Sequence, residues 1–192
     1  MATQQQRSDS TRQKLLDAFR AAFLARGYEH TTTQQILNET GLSKGALYHH
    51  FGSKAEIIEA LYDHESRSAI DRVFHRLDTD LSPLARLKHA YLEWTRTVRS
   101  PDIAKILFEI GPSAIGERRA KEIEETASTK PIKRLLRDAM DAGEIAPPDE
   151  DLLIALLNAL VAEAALYQLH TGRDPYPSLD AMITAIFAEM KP

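Results

Sequence analysis

The sequence contains no cysteine, a single tryptophan, valine only at 73, 98 and 161, and no proline before residue 83. Without cysteine, disulfides, thiolate metal sites and a cysteine nucleophile are all excluded. Scarce valine beside abundant alanine and leucine, with no sustained apolar–polar alternation, argues against half-buried strands. No stretch offers the roughly 18 uninterrupted apolar residues of a membrane span. The polar start MATQQQRSDS lacks an apolar signal core, so a cytoplasmic protein without membrane attachment is expected. There is no glycine-rich phosphate loop, nucleophile elbow, zinc spacing or evident acid–base pair. No enzyme activity, metal or cofactor is therefore expected. What is present is 43% hydrophobic content in 192 residues, enough for a packed core in one domain or two small ones.

The net charge of −4 is unevenly placed. Residues 1–54 carry seven basic side chains (Arg7, Arg12, Lys14, Arg20, Arg26, Lys44, Lys54) against four acidic ones (Asp9, Asp17, Glu29, Glu39), which leaves −7 for the remainder. Binding to phosphates requires a local positive face rather than a basic whole, so the N-terminal segment qualifies as a module facing nucleic acid.

The punctuation predicts an all-α chain of about nine helices. Ser10 to Gln13 reads as a capping box opening helix 1, with Leu15, Leu16, Phe19, Ala22 and Phe23 on one face and Gly27 as its stop. Thr31 to Thr33 offer caps for a short second helix ended by Gly41. Ser43 caps a third through about His50, and Ser53 with Glu56 forms another capping box for a longer fourth. Ser82-Pro83 and Ser100-Pro101 begin two more. A long helix from Gly116 towards Gly143 contains Pro131, which either kinks it or divides it. Asp149 opens the most apolar helix, closed by Gly172, and a final helix follows Pro177-Ser178.

Two short helices joined by a tight glycine turn and backed by an amphipathic first helix are what major-groove reading needs. Gly41 can take the positive φ that stops helix 2, Leu42 plugs the small core, and Ser43 caps the helix that enters the groove. Gly45 and Ala46 allow close approach of the backbone, and Leu47 and Phe51 face inward. Tyr48, His49 and His50 project outward between Lys44 and Lys54. Adjacent histidines point to different sides of a helix, and no i+4 partner completes a metal site.

Residues 31–54 resemble the helix-turn-helix of the tetracycline-repressor (TetR) family. That pattern is a threonine-capped helix followed by G-(L/V)-S-(K/R)-G-x-(L/F)-Y-x-(H/Y)-F-x-x-K, and it is matched without a gap. The resemblance implies a DNA-binding domain over residues 9–69, with the helix-turn-helix at about 32–51, and a helical effector-binding and dimerisation domain over 70–192. By the same resemblance Thr33, Gln34, Lys44, Gly45, Ala46, Tyr48, His49, His50 and Lys54 fall where operator DNA is touched. Tyr48, His50 and Lys54 look most like phosphate contacts, whereas Gln34, Lys44, Ala46 and His49 are placed to vary sequence preference.

The helix DLLIALLNALVAEAALYQLH is apolar around most of its circumference and needs cover beyond one neighbour. A deeply buried core helix would satisfy this. The resemblance favours instead a four-helix bundle with a second copy, through Leu153, Leu157, Leu160, Ile183 and Phe187, and hence a homodimer on roughly palindromic operator DNA. Tyr91, Trp94, Phe108, Glu163 and Tyr167 mix aromatic and polar groups as a small-molecule pocket does. The implied function is a repressor released from its operator by an unidentified effector.

Overall fold

The computed structural model describes residues 4–146 and 149–190. Among these the chain forms nine continuous helices and no strand. The first four are α1 (Gln4–Arg26), α2 (Thr33–Thr40), α3 (Lys44–His50) and α4 (Lys54–His75). They are followed by α5 (Pro83–Val98), α6 (residues 101–115), α7 (residues 117–141), α8 (Glu150–Thr171) and α9 (Tyr176–Glu189).

Most boundaries follow from local chemistry. Thr32 and Gln35 cap α2 reciprocally, Thr32 Oγ1 accepting from the Gln35 amide at 3.3 Å while Gln35 Oε1 accepts from the Thr32 amide at 2.9 Å. Ser43, Ser53 and Asp149 accept from Ala46, Glu56 and Leu152 at 3.1, 3.1 and 3.0 Å. Gly41 and Gly172 end their helices at φ of 68° and 69°. Two expectations need correction. α1 begins at Gln4, so Ser10 lies inside it; Gln4 to Arg7 are helix-compatible residues, and a capping residue only starts a helix where the preceding chain leaves it. The Glu56 carboxylate accepts from the Gly52 amide at 2.8 Å, one residue earlier than the reciprocal arm of the expected box.

Pro131 neither breaks α7 nor divides it. The helix widens into a π turn over Glu125–Thr129 and continues as α-helix from Lys130. α6 does the same over Lys105–Ile110, ahead of Pro112. In both cases the residue before the proline donates five residues back, Gly111 to Ile106 and Lys130 to Glu125. A proline cannot donate, and its ring crowds the carbonyl four residues earlier; one wide turn ahead of it relieves the crowding without ending the helix.

Two apolar clusters form the interior. One unites α1–α3 with Ile57, Ile58 and Leu61 of α4, Ile106, Leu107 and Ile110 of α6, and Ala120 and Ile123 of α7. The other joins the end of α4 to α5, the second half of α7, α8 and α9. Trp94, Ile103 and Phe108 pack against both. By length and composition α8 is apolar enough to cross a membrane. Its stripe of Ile154, Leu157, Val161 and Ala165 is instead built into the second cluster.

Candidate nucleic-acid interface and internal cavity

The Ser43 cap and the Gly41 turn set α3 across the end of α1, with Leu47 and Phe51 buried and Lys44, Gly45, Tyr48 and His49 exposed. These four recur at i, i+1, i+4 and i+5, which is one outward stripe of a helix. Tyr48 is 47% exposed, and the Lys44 ammonium lies 5.8 Å from the centre of its ring. Ala46 and His50 are half-buried at the edge of the stripe. The His49 and His50 rings meet edge-on at 5.0 Å. Burial first, then the neighbouring His49 and Arg12, holds His50 below the ordinary histidine value, which favours its neutral form. On α2, Gln34 is exposed and its side-chain amide donates to Asn38 Oδ1 at 3.0 Å, while Thr33 is half-buried.

Lys54 does not join this face. Its ammonium donates to the carbonyls of Tyr28 and Thr31 at 3.0 and 3.2 Å and sits 4.0 Å over the Tyr28 ring. That charge closes the loop between α1 and α2, a structural task that uses two of its three donors. The early start of α1 brings Arg7, Ser8 and Thr11 beside Ala46, His49 and His50 around an open groove. These residues were missed because the helix was expected to start at Ser10.

α4 runs from this head to an internal cavity of about 230 Å³. Ile57, Ile58 and Leu61 anchor its first half in the head cluster. Tyr62, Ser66, Ile70 and Val73, spaced four, four and three apart, line the cavity with its second half. Tyr91 and Trp94 of α5 and Phe108 of α6 complete the aromatic wall, with the Trp94 and Phe108 rings edge-on at 6.4 Å. Both π turns contribute, Leu107 and Phe108 from the first and Ser128 from the second.

Glu163 and Tyr167 are corrections. Both are exposed, and α8 turns Asn158, Ala159 and Ala162 to the cavity instead. The carboxyl that lines the cavity is Glu124, on α7, and it accepts the hydroxyl hydrogen of Tyr62 in a short contact. Burial pushes this carboxyl up, opposed by Tyr62 and by Lys121. Burial also raises both phenols, and for Tyr62 the adjacent Glu124 adds to the effect. Among the described residues the buried Tyr91 hydroxyl has no hydrogen-bond partner.

The interface expectation is corrected in the same way. Leu157, Ile183 and Phe187 are at most 2% exposed within the protomer, and Leu153 and Leu160 pack half-buried on the same cluster. The uncovered apolar side chains are Leu152, Leu156 and Tyr167 on α8 and Met182 on α9, 39 to 56% exposed. Where a helix is apolar on all sides, periodicity carries no phase, so the buried stripe was chosen in place of its neighbour.

Salt bridges and hydrogen bonds tie the head to the helices behind it. Arg20 of α1 holds the nearly buried Glu65 of α4 at 2.6 Å and approaches Asp102 of α6 at 3.6 Å. Lys105 of α6 donates to the Leu24 carbonyl at 3.0 Å, and Arg119 of α7 grips Glu59 of α4.

Known proteins share both the head and the helices behind it. Residues 15–61 match the family model described as bacterial regulatory proteins, tetR family, and residues 84–188 match that of the tetracyclin repressor-like C-terminal domain. The chain is 33% identical over 88 residues to the HTH-type transcriptional regulator TtgR of Pseudomonas putida, a match covering 45% of this chain and 41% of that protein's length. It is 31% identical over 147 residues to the nucleoid occlusion factor SlmA of Shewanella woodyi, covering 73% of each. A tetR-family regulatory protein from Rhodococcus RHA1 has the same fold, with a TM-score of 0.71 at 19% identity over 94% of this chain and 97% of that one. With the helix-turn-helix matched at one end and more than half of the chain matched behind it, the protein belongs to the tetR family of bacterial regulatory proteins.

Proposed function

We propose that the chain is a cytoplasmic, dimeric transcriptional repressor that binds roughly palindromic operator DNA through residues 9–69 and is released when a small molecule fills the cavity between α4 and the helices of residues 70–192. The carrying observation is α4, a single rod whose first half is packed into the head and whose second half lines the cavity with Tyr62, Ser66, Ile70 and Val73. A ligand pressing on that stripe moves the part of the molecule that orients α3. Direct base contacts fall to Lys44, Ala46, His49 and Gln34, and phosphate contacts to Tyr48 and His50, with Thr33 and Gly45 in close backbone approach. Arg7 adds positive charge beside them. A second copy docks on the uncovered stripe of Leu152, Leu156, Tyr167 and Met182, which sets two heads one helical turn of DNA apart, roughly 34–36 Å. Release requires the effector to prefer the DNA-incompetent form, by about 1–3 kcal/mol. Among the described residues that line the cavity Glu124 is the one carboxyl, and the reading assigns it no catalytic step.

A gel-shift titration against the DNA upstream of the protein's own gene tests this. Retardation is expected, weakened by Lys44→Ala. Leu156→Glu should give a monomer by sedimentation and lose the complex. No shift at low salt with the unaltered protein overturns DNA binding, and a Leu156→Glu variant that remains dimeric overturns the docking face.

A further inference from the structure

We infer that the cavity selects a compact, uncharged ring compound bearing an acceptor oxygen, such as a cyclic ketone or a phenol, with Tyr91 as the donor that recognises it. This rests on the reading of the cavity as an effector site and adds the chemistry of the effector. Size is the first restriction. About 230 Å³ is below the roughly 300–1,000 Å³ of sites for drug-sized ligands. One or two fused rings fill it.

Charge is the second. Among the described residues no lysine, arginine or histidine lines the cavity, and its one ionisable acid is Glu124. An anion there would meet a carboxyl and no counter-charge, at the full cost of desolvation. An organic cation would have to share that carboxyl with the Tyr62 hydroxyl, which already occupies Oε1.

The third is the unmet donor. Tyr91 is 1% exposed and lines the cavity, and its hydroxyl has no partner among the described residues, whereas the Tyr62 hydroxyl has Glu124 and Tyr176 donates to the Val98 carbonyl at 3.1 Å. A buried phenol without an acceptor is an uncompensated desolvation. A ligand oxygen in the cavity supplies what the chain does not. The surrounding walls, from Ile70, Val73, Trp94, Leu107, Phe108 and Ile132, suit the ring carbons.

An isosteric series separates the alternatives: 1-tetralone, tetralin, 1-aminotetralin and tetralin-1-carboxylate, each titrated calorimetrically into the full-length protein. Fluorescence of Trp94, the chain's single tryptophan, reports occupancy of the cavity. The ketone should bind about 2- to 10-fold more tightly than the hydrocarbon, the range of one net hydrogen bond. Tyr91→Phe keeps the ring contact with Phe187 and should erase that difference without altering tetralin binding. The carboxylate should give no measurable heat. Equal affinity for ketone and hydrocarbon, an unchanged preference in Tyr91→Phe, tighter binding of the amine or the carboxylate, or no binding by any of the four overturns the inference. If the ketone binds as expected but leaves the protein–DNA complex intact, the effector reading fails and the assigned chemistry stands.

Discussion

Gly111→Ala sets two effects of opposite sign against each other. Gly111 is helical, with φ −59° and ψ −62°, and in a helix interior alanine is favoured over glycine by roughly 0.5–1 kcal/mol. At this position, however, the new Cβ would lie 2.2 Å from Tyr62 Cδ2 and 2.7 Å from the Ile106 carbonyl oxygen. Carbon pairs rest at about 3.5–4.0 Å, so the Tyr62 ring must retreat by more than an ångström. It has little room, being fully buried with its hydroxyl held by Glu124. Overpacking of this kind costs about 1–3 kcal/mol, which outweighs the propensity gain and leaves a net loss of about 1–2 kcal/mol. For a chain of this size that lowers the melting midpoint by roughly 2–8 °C. Thermal unfolding followed by circular dichroism and by Trp94 fluorescence measures it. In a Tyr62→Ala background the penalty should shrink, since a main obstruction is gone; such coupling is expected only between groups in contact. A Gly111→Ala variant that melts higher than the unaltered protein, or a penalty that persists undiminished without the Tyr62 ring, refutes the reasoning.

Three further outcomes are expected. Because burial raises the Glu124 carboxyl, the folded state keeps that proton to higher pH than the unfolded chain; this contribution to stability is present in acid and is lost as pH rises through the folded value. Glu124→Gln should therefore flatten the decline in stability from acid to neutral pH, and denaturant titrations at several pH values that show the same slope for both proteins would contradict it. Ser43→Ala removes the α3 cap and should cost about 1 kcal/mol in urea unfolding, with weakened DNA binding; an unchanged midpoint would mean that the cap is dispensable. Lys54→Ala should lower stability and leave the salt dependence of DNA binding unchanged, whereas Lys44→Ala should reduce the log–log salt slope by about one; the reverse pattern would show that Lys54 reaches phosphate after all.

What the sequence revealed was mostly what is decided within a few residues. Thr32, Ser43, Ser53 and Asp149 act as caps, and Gly41 and Gly172 as stops, because each needs only its own helix end. Tyr91, Trp94 and Phe108 were found as aromatics on otherwise aliphatic helices. Glu124 was not, because in the run Glu122 to Glu125 it looks like one more residue of a solvated face. Only the approach of Tyr62, 62 positions away, distinguishes it. Which side of α8 the chain itself covers was not legible, since a helix this apolar gives no internal sign of it. The start of α1 was set too late for the opposite reason: Ser10 is a competent cap, but nothing upstream of it ends a helix.

The two wide turns before Pro112 and Pro131 have a bearing on how the pocket is dimensioned. A π turn holds one residue more than the α-helical path it replaces. The wide turn takes up that residue, so removing it would restore ordinary winding and leave the remainder of the helix in nearly its present phase. In α7 Glu124 and Ile132, on either side of the turn, would keep to the cavity wall, and the bulge that carries Ser128 would be drawn in. A single codon lost at either turn is thus enough to retrim one piece of the lining, with the walls on both sides of it and the DNA-facing head untouched.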